Sequence, residues 1–115
     1  MPTRDTLFVL TPGFEDKGQT WFCPFSAQVI GFLTYYPQIK ATLELREMPF
    51  PRPRKELVEL VGEANQSMPC LVLADGSPTA VAGVTIGEYE GHRFVSKTIE
   101  ILRYLATTRG VPLPH

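Results

Sequence analysis

The segment Cys23-Pro24-Phe25-Ser26 contains the residue type with the greatest chemical reactivity in the chain. Pro24 suits the first turn of a helix, where its missing N–H leaves no hydrogen bond unmade. The free N–H groups and the dipole at a helix start favour a thiolate, which is the nucleophilic form of cysteine. Ser26 lies one turn further on and is predicted to donate a hydrogen bond from its hydroxyl to the sulfur. The spacing therefore predicts thiol chemistry at Cys23, and a small residue that only caps the helix is the alternative.

A second signal is the segment Ser67-Met68-Pro69-Cys70, which lies at the mouth of a predicted strand. A proline there cannot donate to the strand ladder. A cis Met68–Pro69 bond would turn the Met68 backbone outward, where an extended peptide can pair with it. Because most X–Pro bonds are trans, an ordinary strand start is the alternative. Cys70 is predicted to be a buried small residue, and a resolving role towards Cys23 is the second interpretation.

Three further residues have two interpretations each. Trp21 and Phe22 precede the cysteine, and they either wall a substrate groove or anchor the loop that holds them. His92 lies in a glycine-flanked turn. An exposed side chain is favoured there over a catalytic base, although histidine titrates near neutrality.

Hydrophobic periodicity and turn residues predict the elements that position these segments. Strands are predicted at residues 6–10, 42–46, 70–74 and 93–95, and helices at 24–35, 54–64 and 97–108. Two long loops are predicted at 11–22 and 77–91, the second with a candidate hairpin around residues 85–89. The order β-α-β-α-β-β-α predicts an α/β fold with a central mixed four-stranded sheet flanked by helices.

Length and composition predict a single domain over residues 1–115. Hydrophobic residues make up 43% of the chain and charged residues 20%, which is typical of a globular protein. The formal charge is −1, and no basic stripe indicates a nucleic-acid partner. The basic residues Arg52, Arg54 and Lys55 are interpreted as the solvated start of a helix. Two cysteines and two histidines, widely separated, do not predict a metal site.

The expected location follows from two sequence features that the chain lacks. No apolar run approaches the ~18 residues of a membrane-spanning helix. The N-terminal residues lack the apolar core and the cleavage site of a secretory signal. We therefore expect a cytoplasmic protein with no membrane partner, in which both cysteines stay reduced unless they perform redox work.

The combination of Cys-Pro-x-Ser at a helix start with x-Pro before a strand resembles the thioredoxin fold. The most similar families are the glutaredoxins and the N-terminal domain of glutathione transferases. The resemblance rests on Cys23, Ser26, Met68–Pro69 and the final helix around residues 101–105. It implies a cis proline at Pro69 that faces Cys23, and glutathione as a bound thiol with no tightly bound cofactor.

The same resemblance implies a set of substrate-binding residues. The substrate main chain would align with Met68 beside Pro24 and Pro69. An anionic end would lie at the start of the last helix, where free N–H groups attract negative charge. The residues at that helix start are Ser96, Lys97 and Thr98.

The whole chain is also similar to a small bacterial family of thioredoxin-like domains of unassigned function. Four stretches carry this similarity, namely residues 12–16, 51–54, 60–63 and 65–67. This similarity covers nearly the whole chain and implies no activity.

The favoured function is a thiol–disulfide or glutathione-linked oxidoreductase that acts through Cys23, with glutathione or a protein thiol or disulfide as partner. The main alternative is a non-catalytic thioredoxin-like module that binds a peptide or protein. A glutathione-ligated iron–sulfur carrier is a third option. It is disfavoured because single-cysteine glutaredoxins of that kind have glycine where this chain has Pro24.

Overall fold

The apolar run predicted at residues 6–10 forms a central strand in the computed structural model, which describes residues 4–115. The strands are β1 (Thr6–Leu10), β2 (Phe14–Asp16), β3 (Gln19–Trp21), β4 (Glu44–Met48), β5 (Cys70–Val72), β6 (Gly87–Tyr89) and β7 (His92–Val95). The helices are α1 (Pro24–Tyr35), α2 (Pro37–Lys40), α3 (Lys55–Val61) and α4 (Thr98–Arg109), with a 3-10 turn at Glu63–Asn65.

The main sheet has five strands in the order β4-β1-β5-β7-β6. β1 pairs with β4 in parallel, and every other pairing in this sheet is antiparallel. The α/β class and the mixed sheet are therefore confirmed, but the predicted number of four strands is wrong. The additional strand is β6, which forms within the predicted hairpin segment. It pairs with β7, with Gly87 opposite Phe94 and Tyr89 opposite His92.

The predicted loop at 11–22 also contains regular structure. β2 and β3 pair as a separate antiparallel hairpin, from Phe14 opposite Trp21 to Asp16 opposite Gln19. Lys17 and Gly18 form its turn with φ angles of 54° and 75°. Both values lie in the left-handed region that a tight hairpin turn requires. This hairpin was missed because its strands have three residues each and face solvent for the most part.

β1 is buried on both faces, and alternate residues contact different helices. Leu7 and Val9 belong to the apolar cluster that contains the inner residues of α1 and α4. Phe8 and Leu10 belong to the cluster that contains the inner residues of α3. Since successive strand residues point to opposite faces, the sheet lies between α1 and α4 on one side and α3 on the other.

Among the predicted element bounds, those of one helix and one strand need the clearest corrections. The helix predicted at 54–64 ends at Val61, because Gly62 adopts φ 87° and ψ 161°, a conformation essentially restricted to glycine. The second strand lies two residues later than predicted, since Thr6 pairs with Glu44 and Leu10 with Met48. The helix predicted at 24–35 has the predicted bounds.

Candidate functional site around Cys23

Cys23 is the N-cap residue of α1, as the sequence predicts. Its backbone is extended, with φ −82° and ψ 115°, and Pro24 occupies the first helical turn. The Cys23 Sγ atom accepts a hydrogen bond from the Ser26 N–H at 3.4 Å. The side chain is half-buried. The sulfur therefore lies where the unpaired N–H groups and the dipole of a helix start favour negative charge.

Ser26 contacts the sulfur through its backbone and not through its hydroxyl, so the predicted hydroxyl bond is wrong. The Ser26 side chain is buried, and its Oγ atom accepts from the Leu10 N–H at 3.1 Å. That bond satisfies a backbone donor at the end of β1. Ser26 thus fixes the start of α1 against the central strand, and Cys23 is held in place with it.

The segment before β5 faces the cysteine. The Met68–Pro69 bond is cis, as predicted. The Cys23 thiol points at the Met68 carbonyl oxygen, with 3.9 Å between sulfur and oxygen. Met68 and Pro69 are both buried, whereas Pro24 is exposed. The structure therefore brings Cys23, Ser26, Met68 and Pro69 together at one end of the sheet.

The second cysteine lies in the core. Cys70 is the first residue of β5 and is fully buried on the α3 side of the sheet. Burial raises the pKa of the Cys70 thiol to about 12, since a low dielectric disfavours the thiolate. Both cysteines are free thiols. The predicted burial of Cys70 is confirmed, and its thiol stays protonated near neutral pH.

Arg54 is a site residue that the sequence interpretation missed. It was interpreted as part of a solvated basic cluster, but its exposed fraction is only 5%. Its guanidinium donates to the Gln66 carbonyl at 2.6 Å and to the Phe50 carbonyl at 2.7 and 3.2 Å. The guanidinium carbon also lies 5.6 Å from the centre of the Phe50 ring. Over residues 4–115, no carboxylate pairs with this cation.

The electrostatic environment of Arg54 links it to the cysteine. Burial lowers the pKa of Arg54, positive charge on Arg52 lowers it further, and negative charge on Cys23 opposes both effects. A buried cation without an anion is costly, and negative charge on the Cys23 sulfur would compensate a small part of that cost. No local signal in the sequence marks this burial, because the partner Gln66 lies twelve residues further along the chain.

A cavity of about 240 Å³ opens beside Cys23. Ser26 and Glu47 line it together with the cysteine, and the rest of its wall is apolar. The apolar wall residues are Val9, Leu10, Pro12, Phe22, Ala27 and Ile30. The two aromatic residues before Cys23 therefore differ in role. Phe22 walls the cavity, whereas the Trp21 indole N–H donates to the Asp16 carbonyl at 2.9 Å and holds the β2–β3 hairpin.

The predicted anion-binding residues lie at the same end of the sheet as Pro69. Val95 pairs with Leu71, so the chain leaves β7 for α4 near the point where it enters β5. Lys97 is the N-cap of α4 and makes no capping bond with its side chain. Ser96 and Lys97 are exposed and Thr98 is half-buried. Within residues 4–115, no hydrogen bond joins these three residues to Cys23 or Met68.

His92 is not exposed as predicted, because pairing with Tyr89 places it in the sheet as the first residue of β7. The residue is half-buried, and its Nδ1 atom is buried without a hydrogen-bond partner in the described part of the chain. It does not line the Cys23 cavity.

Two searches of the described residues bear on other classes of function. Between residues 4 and 115, no three or more His, Cys, Asp or Glu side chains are grouped so that they could hold a metal ion. None of the helices in this range is both long and apolar enough to span a membrane.

The fold and the site define an α/β domain with a mixed sheet and one half-buried cysteine at a helix start. The chain belongs to the family described as "Protein of unknown function (DUF3088)", which it matches over residues 4–113. This agrees with the predicted similarity to an uncharacterised family. Searches of curated proteins and of solved structures found no match to the chain.

Proposed function

We propose that this protein is a thioredoxin-like thiol–disulfide or glutathione-linked oxidoreductase that acts through Cys23 alone. One observation carries the proposal. The Cys23 sulfur accepts an N–H bond at the start of α1 and the residue lines an open cavity, while the other thiol is buried in the sheet. The two cysteines thus differ in the two properties that determine thiol reactivity, which are stabilisation of the thiolate and access.

The thioredoxin-like part of the proposal is supported by strand order and direction. The first and second strands of the predicted β-α-β-α-β-β-α pattern correspond to β1 and β4, which are parallel neighbours. The third and fourth correspond to β5 and β7, which continue the sheet antiparallel on the other side of β1. β6 and the β2–β3 hairpin are additions to that pattern.

The proposed reaction is thiol–disulfide exchange. The Cys23 thiolate attacks one sulfur of a substrate disulfide R–S–S–R′, so that a Cys23–S–S–R bond forms and R′–S⁻ leaves. The thiolate of glutathione then attacks the sulfur that carries R. This forms R–S–S–glutathione and regenerates the Cys23 thiolate. No metal or tightly bound cofactor takes part, and a cytoplasmic location, where glutathione keeps thiols reduced, belongs to the proposal.

An external thiol is needed because neither neighbour of Cys23 can resolve the adduct. Ser26 has no sulfur, and its oxygen already accepts the Leu10 N–H. Cys70 is fully buried and protonated. In this proposal the Met68 carbonyl and the α4 start at Ser96, Lys97 and Thr98 bind the substrate or the glutathione backbone.

The test is glutathione-dependent reduction of a small disulfide such as bis(2-hydroxyethyl) disulfide. A second glutathione attacks R–S–S–glutathione, which releases the free thiol and forms oxidised glutathione, and the oxidised glutathione is measured. We expect turnover by the wild type and none above the uncatalysed rate for Cys23→Ser. Cys70→Ala is the matched control and should retain turnover in proportion to its folded fraction. A wild-type rate for Cys23→Ser would contradict the proposal.

A non-catalytic binding module is the second candidate, and one observation favours it. Trp21, Phe22 and Phe25 flank Cys23 in the chain, with exposed fractions of 44%, 62% and 55%. Large exposed aromatic side chains close together in the chain favour an interaction surface. Two results together would favour the module over the enzyme. The folded wild-type protein would show no turnover, and its Cys23 thiol would alkylate no faster than a free cysteine.

A further inference from the structure

We infer that the cavity beside Cys23 holds a compact, apolar and non-anionic group attached to the substrate sulfur, such as a single aromatic ring or a branched alkyl group. The inference rests on the proposed exchange at Cys23 and specifies its substrate class. The carrier of that group is a disulfide of the form R–S–S–R′ in which R fills the cavity.

The size of the cavity sets the size of the group. Its volume is about 240 Å³. An apolar cavity of about 150 Å³ is large enough to bind benzene. The Cys23 cavity therefore has room for one ring or one branched chain together with the linking sulfur. It is smaller than the pockets of about 300–1,000 Å³ that bind drug-sized ligands.

The chemistry of the wall sets the polarity of the group. The Ser26 N–H donates to the sulfur, and its hydroxyl, which accepts from Leu10, belongs to a side chain that is only 4% exposed. Pro12 and Ala27 offer no side-chain hydrogen bond. Because most of the wall is apolar, a polar group inside the cavity would lose more hydrogen bonds to water than it gains there, which costs free energy. An apolar group gains from leaving water.

The exposure of Phe22 points to the same occupant. Phe22 lines the cavity and is 62% exposed. A group R in the cavity would cover part of this ring, so the ring itself gains by leaving water when the substrate binds. The apolar surface at the mouth is a contact surface for the substrate and not only a wall.

The charge of one lining residue disfavours anions in the cavity. Glu47 is the one charged residue among those that line the cavity, and it is exposed on β4. Its carboxylate repels a negative group that approaches the same opening, although solvent and salt weaken the effect. A neutral group is therefore preferred to an anionic group of equal size.

In the exchange step, the Cys23 thiolate attacks the sulfur that carries R. The Cys23–S–S–R bond forms with R in the cavity, and R′–S⁻ leaves towards solvent. Glutathione then forms R–S–S–glutathione and frees Cys23, so the electrons balance as in the general reaction. The affinity of the cavity for R stabilises the Cys23–S–S–R adduct and the transition state that leads to it. The corresponding states with a polar group in place of R are stabilised less.

The experiment measures the rate at which Cys23 is modified by methanethiosulfonates, which form Cys23–S–S–R and release methanesulfinate. The reagents carry a benzyl, a 2-hydroxyethyl or a 2-sulfonatoethyl group. Each rate is read by intact mass and divided by the rate of the same reagent with free glutathione. The rate with the benzyl reagent divided by the rate with the hydroxyethyl reagent gives a ratio for each thiol. We expect this ratio to be about 10-fold larger for Cys23 than for free glutathione, as for the burial of part of a ring. The sulfonatoethyl reagent should be the slowest of the three.

Three variants assign the preference to the cavity. Ala27→Phe fills the cavity from α1 and should bring the ratio close to that of free glutathione. Thr34→Phe adds the same ring on an exposed part of α1 that does not line the cavity, and it should keep the wild-type ratio. Glu47→Gln should raise the relative rate of the sulfonatoethyl reagent by about 2-fold, as for a screened surface charge.

The outcomes separate this inference from the proposed function. A wild-type ratio equal to that of glutathione, or a ratio unchanged in folded Ala27→Phe, overturns the inference even if the enzyme turns over disulfides. A 10-fold ratio that is lost in Ala27→Phe supports the apolar subsite. If the same protein shows no glutathione-dependent turnover, the oxidoreductase proposal fails and the apolar preference of the cavity remains.

Discussion

The Arg54 guanidinium donates a 2.6 Å hydrogen bond to the Gln66 carbonyl, two residues before the Met68 carbonyl that faces Cys23. The pair is joined a second time, because the Arg54 N–H donates to Gln66 Oε1 at 2.8 Å. These two bonds fix the start of α3 to the segment that leads into β5. The geometry on the Met68 side of the cysteine therefore depends on a buried arginine from another element.

Replacement of Arg54 by methionine should destabilise the fold and slow the reaction of Cys23. The buried Gln66 carbonyl and the partly buried Phe50 carbonyl would lose these donors, which costs about 1–3 kcal/mol. The Cys23 thiolate would also lose a neighbouring positive charge. We expect a lower free energy of unfolding in urea, and a lower rate of alkylation by iodoacetamide at pH 7 in the fraction that remains folded.

Two matched variants separate charge from packing. Arg54→Lys keeps the charge but not the planar donor geometry, so it should recover part of the alkylation rate and little of the stability. Arg52→Met removes an exposed charge from the same segment and should change stability by less than about 0.5 kcal/mol. If Arg54→Met alkylates as fast as the wild type, Arg54 has a structural role only.

Substitution of Ser26 tests the backbone origin of the bond to sulfur. Ser26→Ala removes the acceptor of the Leu10 N–H and should lower the free energy of unfolding by about 1–3 kcal/mol, because that donor is buried. The N–H of residue 26 remains, so the alkylation rate of Cys23 should change less than 2-fold. Thr34→Ala, an exposed substitution on the same helix, is the stability control. A large loss of Cys23 reactivity in Ser26→Ala would restore the hydroxyl to the role predicted from sequence.

The two cysteines should differ strongly in alkylation. We expect iodoacetamide to add one group to the native protein at pH 8, with the adduct on Cys23 by peptide mapping. Cys70 should react only when urea unfolds the chain, because it is fully buried and its thiol pKa is about 12. Two adducts on folded protein, or a first adduct on Cys70, would show that the reactive thiol has been assigned wrongly.

Local signals were sufficient to predict the core of the fold. β1 and α1 have the predicted bounds, because an apolar run and a proline-started amphipathic segment each specify their own structure. The β2–β3 hairpin was missed because its short strands carry mainly exposed residues and show no apolar alternation. The boundary of α3 was missed because the conformation of Gly62 ends the helix before its favourable sequence ends.

The site was predicted only as far as short segments determine it. Cys23 at a helix start follows from Pro24, one residue away. The burial of Arg54 depends on Gln66, twelve residues further on, and on the fold that brings the two together. The cavity is formed by β1, the following loop, α1 and β4. Such long-range contacts leave no periodic pattern in a single sequence.

Stability at alkaline pH should report the burial of Cys70 and Tyr104. Burial raises the pKa of Cys70 from 9.0 to about 12, and burial is also the main cause that raises the pKa of Tyr104 from 10.0 to about 12. As the pH rises from 9 towards 12, the unfolded chain releases the Cys70 and Tyr104 protons while the folded protein keeps them. The free energy of unfolding should therefore be unaffected by these groups below pH 9 and should fall as the pH rises from 9 towards 12. Urea unfolding at a series of pH values measures this slope.

Two variants assign the alkaline slope to the two residues. Cys70→Ala should reduce the alkaline slope between pH 9 and 10, because of the two residues only Cys70 contributes in that range. The reduction should be at most about 1.4 kcal/mol per pH unit. Tyr104→Phe should reduce it from pH 10 upwards, since the Tyr104 hydroxyl donates to the Pro78 carbonyl at 2.7 Å only while it is protonated. An alkaline slope that is identical in the wild type and Cys70→Ala would mean that the Cys70 thiol meets solvent in the folded protein. In that case Cys70 would again be a candidate to resolve a disulfide formed at Cys23.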